Sequence, residues 1–238
     1  MRILLINANT TASITDKLVG IANGMAPAGV VFEGATGRFG ARYIASRAAS
    51  AIAAHAALDA WAEHGAGVDA VLIGCFGDPG LDALRELAPV PVLGLADAAA
   101  AAAGGRRFGV VTGGAAWKPM LEEFFATRGV GAQLAGVRTV APSGGEIARD
   151  PEGALASLAA ACRASAEEDG AEVVILGGAG LAGLAARLAT RVPVPVLCSV
   201  EEGVRAAIAA IGRGPAGLIP HQPVESIGLS PALAARLG

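Results

Sequence analysis

Short, uninterrupted apolar runs alternate along the chain with longer stretches in which alanine and leucine mix with charged residues. A short apolar run bounded by turn residues fits a strand buried on both faces. Strands alternating with helical stretches predict a parallel sheet covered by helices. Residues 2–6 form the first such run. The polar loop Asn7-Ala8-Asn9-Thr10-Thr11 follows, and Ser13 or Thr15 is placed to cap the next helix. Residues 30–32 predict a second strand and residues 34–40 a loop. An alanine-rich helix runs from about 46 to 64, with Gly65 as its C-cap. Residues 71–73 are the third strand. Asp78 is then a good N-cap and Pro79 a good first residue for a helix over 79–87, and a strand at 90–93 ends this half.

The second half repeats the order. Residues 107–112 match 2–7 in type, Gly113-Gly114 opens a loop, and 117–127 reads as helix. A glycine-broken strand covers 130–137 and a Pro/Gly-rich loop 141–150; a long helix from Pro151 reaches Asp169, with Gly170 beyond it. The match is closest where Asp69-Ala70-Val71-Leu72-Ile73-Gly74-Cys75 aligns with Glu172-Val173-Val174-Ile175-Leu176-Gly177-Gly178, 103 residues on. Val90-Pro91-Val92-Leu93 aligns with Val194-Pro195-Val196-Leu197, 104 residues on. The expectation is an α/β fold of two pseudo-symmetric Rossmann-like lobes. Each is a mostly parallel four-stranded sheet flanked by helices, with the active site in the inter-lobe cleft. Residues 1–95 make the first lobe, completed by about 205–238, and 96–204 make the second.

Composition narrows the class. In 238 residues, 53% hydrophobic content with only 4% aromatic predicts a large core of Ala, Val, Leu and Ile. A net charge of −3 gives no reason to expect nucleic acid, and no run is basic enough for a membrane surface or apolar enough to span a bilayer. The first residues lead straight into a strand, unlike a secretory signal. Cys75, Cys162 and Cys198 form neither a disulfide framework nor a metal-ligand spacing. A cytoplasmic, reduced protein without a metal is expected.

Cys75 sits where a parallel strand is expected to stop and a helix to start, the edge at which open α/β sheets bind ligands. A helix N-terminus nearby favours the thiolate, the reactive form. The competing reading is a small buried apolar side chain.

At these residues the chain resembles the aspartate/glutamate/hydantoin racemase superfamily, and most of all its hydantoin racemase branch. The markers are Ile6-Asn7-Ala8-Asn9-Thr10, Gly74-Cys75-Phe76-Gly77-Asp78-Pro79-Gly80-Leu81 and Leu176-Gly177-Gly178-Ala179-Gly180-Leu181. Ala8 stands where the family usually has proline. The resemblance implies an enzyme without metal or organic cofactor. In that family two cysteines flank the substrate's acidic carbon, one thiolate taking a proton from one face and the other thiol returning one to the opposite face. It also implies a homo-oligomer and a small-molecule substrate: a hydantoin, an amino acid or a related carboxylate. Cys75 matches the first family cysteine, and Gly178 stands at the second. The resemblance thus implies proton transfer at a carbon next to a carbonyl, with Cys75 as acid/base. Two alternatives stay open. One is a decarboxylase-type lyase using Cys75 alone, like the arylmalonate decarboxylases, which keep one cysteine of the pair. The other is a non-catalytic small-molecule-binding homologue.

The residues expected to line the site are Asn9, Thr10, Phe76, Thr112, Gly113, Gly178 and Ala179. Arg42, Tyr43, Ser46 and Arg47 are placed at the start of the long helix, where arginine suits a carboxylate; an ordinary solvated helix start explains them equally. Cys198, just after a strand, is either a displaced second thiol or packing beneath the site. Cys162 reads as core and Trp117 as packing. His64 suits a helix C-terminus, and His221 falls in a Pro-rich tail segment.

Overall fold

A computed structural model of the protein describes residues 1–141, 143–214 and 222–238; His221 lies outside them. The chain divides into two compact units. One comprises Met1–Ile44, Ala48–Gly94 and Val204–Gly238, the other Ala45–Arg47 and Leu95–Gly203.

The first unit alternates strand and helix: β1 (Arg2–Asn7), α1 (Ala12–Met25), β2 (Val31–Thr36), α2 (Arg47–His64), β3 (Ala70–Ile73), α3 (Leu81–Leu87) and β4 (Val92–Gly94). All pairings in its sheet are parallel, in the order β2-β1-β3-β4. All four residues of β3 are buried, as is every residue of β1 after Arg2, which is why both read as unbroken apolar runs.

The second unit opens with α4 (Leu95–Ala102) and continues through β5 (Phe108–Gly113), α5 (Trp117–Thr127), β6 (Leu134–Val140), α6 (Gly144–Arg149), α7 (Pro151–Glu167), β7 (Val173–Leu176), α8 (Ala185–Leu188) and β8 (Val196–Cys198). Its sheet is again all parallel, in the order β6-β5-β7-β8. The registers repeat as well: Ile6 pairs with Ile73 and Val111 with Leu176, so Asn7 and Thr112 are counterparts at the strand ends. Helix α9 (Ser199–Ala210) carries the chain into the first unit, and α10 (Pro231–Leu237) ends it.

Several boundaries differ from expectation. Helix α1 begins at Ala12 with Thr11 at the N-cap position, so neither Ser13 nor Thr15 caps it; Thr15 lies inside the helix and bonds Asn7 and Thr36. Strand β2 runs on to Thr36, because Ala35 packs inward at 3% exposure and β1 pairs with β2 to its end, taking in the first three residues of the expected 34–40 loop. The alanine-rich segment 95–102 is helix α4, an element absent from the sequence reading. The expected loop 141–150 holds α6, closed by a capping box in which Ser143 and Glu146 satisfy each other's backbone. The helix expected at 79–87 starts at Leu81.

Candidate active site

The first sheet reverses direction between β1 and β3: the chain steps outward to β2 on one side and to β4 on the other. Ligands of open α/β sheets bind outside the carboxyl ends of strands flanking such a reversal. In this unit those ends carry the loop 8–11 and the segment 74–80.

Asn7, fully buried at the end of β1, anchors the first loop. Its Nδ2 donates to Asn9 Oδ1 at 3.0 Å, the Thr11 carbonyl at 3.1 Å and Thr15 Oγ1 at 3.1 Å. The Thr11 N–H donates to the same Asn9 oxygen at 2.8 Å. With Oδ1 thus held by two donors, the Asn9 side-chain amide has one orientation. Among the described residues no hydrogen bond engages its Nδ2. The Thr10 N–H donates to the Ala41 carbonyl at 3.1 Å and Thr11 Oγ1 to the Arg42 carbonyl at 2.8 Å, which brings residues 41–42 against this loop. Arg42, Tyr43 and Ser46 precede α2 rather than open it, and only Arg47 is its first residue. Arg47 is engaged on the surface by Glu123 at 2.6 Å. Arg42 is exposed, and among the described residues no ion pair engages it.

The segment after β3 consists of two consecutive turns. The Asp78 N–H donates to the Cys75 carbonyl at 3.1 Å, with Gly77 at φ +99°; the Leu81 N–H donates to the Asp78 carbonyl at 3.1 Å, with Gly80 at φ +83° and ψ 6°. Each glycine occupies the third position of a type II turn, which requires positive φ, and Pro79 fills the second position of the latter turn, which favours proline. The Pro-Gly pair therefore makes a turn rather than a helix start. Asp78 is the joint between the turns, buried, with φ +48°. It does not cap α3.

Cys75 is 8% exposed and Phe76 4%. The expected lowering of the thiol by a helix N-terminus is overturned. Burial pushes the Cys75 thiol up to about 12, and the Asp78 charge adds to the shift. The helix begins six residues beyond Cys75, past both turns, so its dipole does not offset burial.

The second unit's counterpart loop differs in backbone. Gly178 has φ +125° and ψ 144°, and a single 3-10 turn, Ala179–Leu181, follows it. A side chain at 178 would have room, with its nearest neighbours at 3.7 Å and 3.8 Å, but the wrong backbone conformation. The Gly178 N–H donates to Ser199 Oγ at 3.2 Å, and Thr112 Oγ1 donates to the Gly177 carbonyl at 2.7 Å. Gly113 and Gly180 both press on Gly144 of α6: a Cβ on Gly113 would lie 2.5 Å from the Gly144 nitrogen, and one on Gly180 would collide with the Gly144 carbonyl oxygen. Cys198 is the last residue of β8, paired with Leu176 and buried; Cys162 is fully buried on α7.

Asp78 and Ser199 were not singled out as site residues. Pro79-Gly80 was the available signal for the first, since it marks a type II turn. Ser199 carried none beyond following the strand that repeats residues 90–93.

The model of the Asp/Glu/hydantoin racemase family matches residues 3–207 of the chain. This protein belongs to that family. Among curated relatives, the hydantoin racemase of Paenarthrobacter aurescens is 32% identical over 220 residues, covering 90% of this chain and 92% of the relative. Among solved racemases of the family, the allantoin racemase from Pseudomonas fluorescens superposes with a TM-score of 0.90 at 32% identity, covering 96% of this chain and 100% of that one. A liganded variant of arylmalonate decarboxylase shares the fold, with a TM-score of 0.66 at 17% identity over 89% of this chain and 93% of that one. Among the described residues no helix is long and apolar enough to cross a membrane.

Proposed function

We propose that this racemase-family protein is a cofactor-independent racemase of a hydantoin-like ring, with Cys75 as the acid/base at the carbon beside the carbonyl. The observation that carries the reading is the position of Cys75: the first residues beyond β3, at the reversal of the first sheet, in a chain 32% identical to a hydantoin racemase along nearly its whole length. Removing the proton from such a carbon leaves an enolate, whose oxygen needs a donor already in place. The Asn9 Nδ2 group suits that task, because the other end of its amide is pinned. Thr10, Phe76, Arg42 and Tyr43 of the first unit are proposed substrate contacts, and so are Ser46 and Arg47 of the short segment that precedes and opens α2. Arg42 is favoured over Arg47 for an anionic group, because Glu123 already engages Arg47. In the second unit Thr112, Gly113, Gly178 and Ala179 carry the same proposal.

Gly178 favours a second reading. It stands where the family's second cysteine is expected, in a backbone that suits glycine. A protein with one thiol at work would protonate a carbanion on one face, as a decarboxylase-type lyase does. Both readings are tested by incubating the protein in D2O with single enantiomers of 5-substituted hydantoins, allantoin and an arylmalonate. Optical rotation and deuterium content are followed together. Loss of rotation keeping pace with exchange supports the racemase. Exchange with retained configuration, or carbon dioxide release from the malonate, supports the one-thiol reading. A Cys75→Ala protein that retains full activity in either assay sinks both.

A further inference from the structure

We propose that Asp59 is a positioning residue for Asn9: through Arg38 it holds the loop 37–42 against the loop 8–11 and so fixes the amide that donates to the enolate. Residues 37–42 contain no helix or strand, yet they are bonded on two sides. On one side is α2. Asp59, 2% exposed, accepts from Arg38 Nε and Nη2, each at 2.8 Å. One turn earlier on α2, His55 meets the Phe39 ring edge to face, with centroids 4.8 Å apart. Residues four apart share a helix face, so both contacts grip the loop from one side of α2. On the other side is the loop after β1. The Gly37 N–H donates to the Asn7 carbonyl at 2.8 Å. The Ala41 and Arg42 carbonyls accept from the Thr10 N–H and the Thr11 hydroxyl. A Cβ on Gly37 would lie 3.1 Å from the Ala8 carbonyl oxygen, so the two backbones are in close contact.

Thr11 is the junction through which the hold reaches Asn9. Its hydroxyl donates to the Arg42 carbonyl, and its N–H donates to Asn9 Oδ1. Its carbonyl accepts from Asn7 Nδ2, which bonds the same Asn9 oxygen. A shift of residues 41–42 is therefore passed to the Asn9 amide. Desolvating the Asp59 carboxylate offsets much of what its attraction to Arg38 contributes. What a clasp through two nitrogens adds is a fixed geometry. An enolate donor needs that geometry, because its worth lies in being in place before the charge develops.

This role rests on Asn9 being the enolate donor of the proposed reaction. Replacing both partners, Arg38→Met with Asp59→Asn, cuts the clasp without leaving a buried charge unpaired. Hydrogen exchange of the full chain is followed by mass spectrometry over residues 8–12 and 37–43, with 2–6 of β1 as reference. Exchange needs no turnover, so it tests the hold on the loops separately from the reaction. Segments 8–12 and 37–43 of the double variant should exchange about tenfold faster, with 2–6 unchanged, as a local opening would. On 5-substituted hydantoins, kcat per folded molecule should fall about 10²-fold with KM unchanged, the scale for a misplacement of about 1 Å felt only in the transition state. Unchanged exchange over 8–12 overturns the proposal. So does exchange raised equally over 2–6, which would mean only a less stable fold. Faster loop exchange with normal kcat, or a raised KM with kcat unchanged, also overturns it, because Asn9 would then not depend on the clasp. A wild type that racemises no hydantoin sinks the racemase reading and the enolate role with it, and exchange still decides whether the clasp holds the loop.

Discussion

Cys75 and Asn9 divide the proposed chemistry between a proton carrier and a charge holder, and each permits a substitution that keeps shape and removes function. Cys75→Ser keeps a small polar side chain but replaces the thiol with a much weaker acid and base. Turnover should fall by orders of magnitude while circular dichroism stays unchanged; a serine variant with near-normal turnover would rule the thiol out. Asn9→Asp keeps an oxygen to accept from Asn7 Nδ2 and the Thr11 N–H. It removes the donor, so kcat should drop about 10²- to 10³-fold, the scale for losing one preorganised donor. Unchanged kcat would return Asn9 to a purely structural role. Gly178 tests the opposite question, whether a thiol can be restored. Its space admits a side chain, but φ +125° does not suit one. Gly178→Cys should fold with a loss of about 1–3 kcal/mol, the range for a residue held in such a conformation. Urea denaturation measures it, and a variant as stable as wild type would mean the loop relaxes.

Elements decided how much of the fold and of the site could be read from the sequence. Strands β3 and β7 were legible because burial on both faces makes them continuous apolar runs, and their near-identity exposed the repeat. Helix α5 was legible to the residue, from Trp117 to Thr127. Helix α4 was not, because Leu95–Ala102 is nearly all alanine and leucine and follows β4 without a turn. Helix α6 was hidden by Gly144-Gly145, a poor helix opening, although the Ser143-to-Glu146 spacing carried a capping signal. Within the site, the position of Cys75 at a strand end was legible, and its environment was not. Whether the next residues turn or coil decided whether a helix N-terminus or two successive turns follow the cysteine. The close approach of α6 to its neighbours was also out of reach of sequence patterns, since it depends on Gly113 and Gly180 meeting Gly144 across the fold. Gly180→Ala pushes a methyl group onto a backbone oxygen that cannot rotate away. It should cost about 1–3 kcal/mol by overpacking, read as a lowered urea midpoint with an unchanged slope. A midpoint equal to wild type would show that α6 moves freely.

At the scale of the molecule, titration opposes folding at both ends of the pH range. On the acid side the buried contributor is Asp59, which is 2% exposed on α2. Burial works to raise its carboxyl, but the Ser230 hydroxyl at the start of α10 and the Arg38 guanidinium outweigh it and hold the group below its ordinary value of 3.8. Arg38 binds it through two nitrogens, each at 2.8 Å. A carboxyl depressed by folding contributes stability that is present above its unfolded value and lost as pH falls through the folded one. Below about pH 4 the clasp between α2, the Arg38 loop and α10 should therefore weaken first. On the alkaline side the Cys75 and Cys162 thiols are both raised from 9.0 to about 12, in each case chiefly by burial. A raised group contributes stability that is fully present below 9.0 and lost as pH rises toward about 12, because the unfolded chain releases the proton that the folded one keeps. Urea unfolding under reducing conditions from about pH 3 to about pH 10.5 should give a plateau falling on both sides. Cys162→Ala should lower the plateau through the small cavity it leaves, yet flatten the alkaline fall. Asp59→Asn should lower the plateau and flatten the acid fall, leaving the alkaline one intact. If Cys162→Ala runs parallel to wild type up to the highest pH, the buried thiols are not the source of the alkaline loss, and the same inference for Cys75 fails with it.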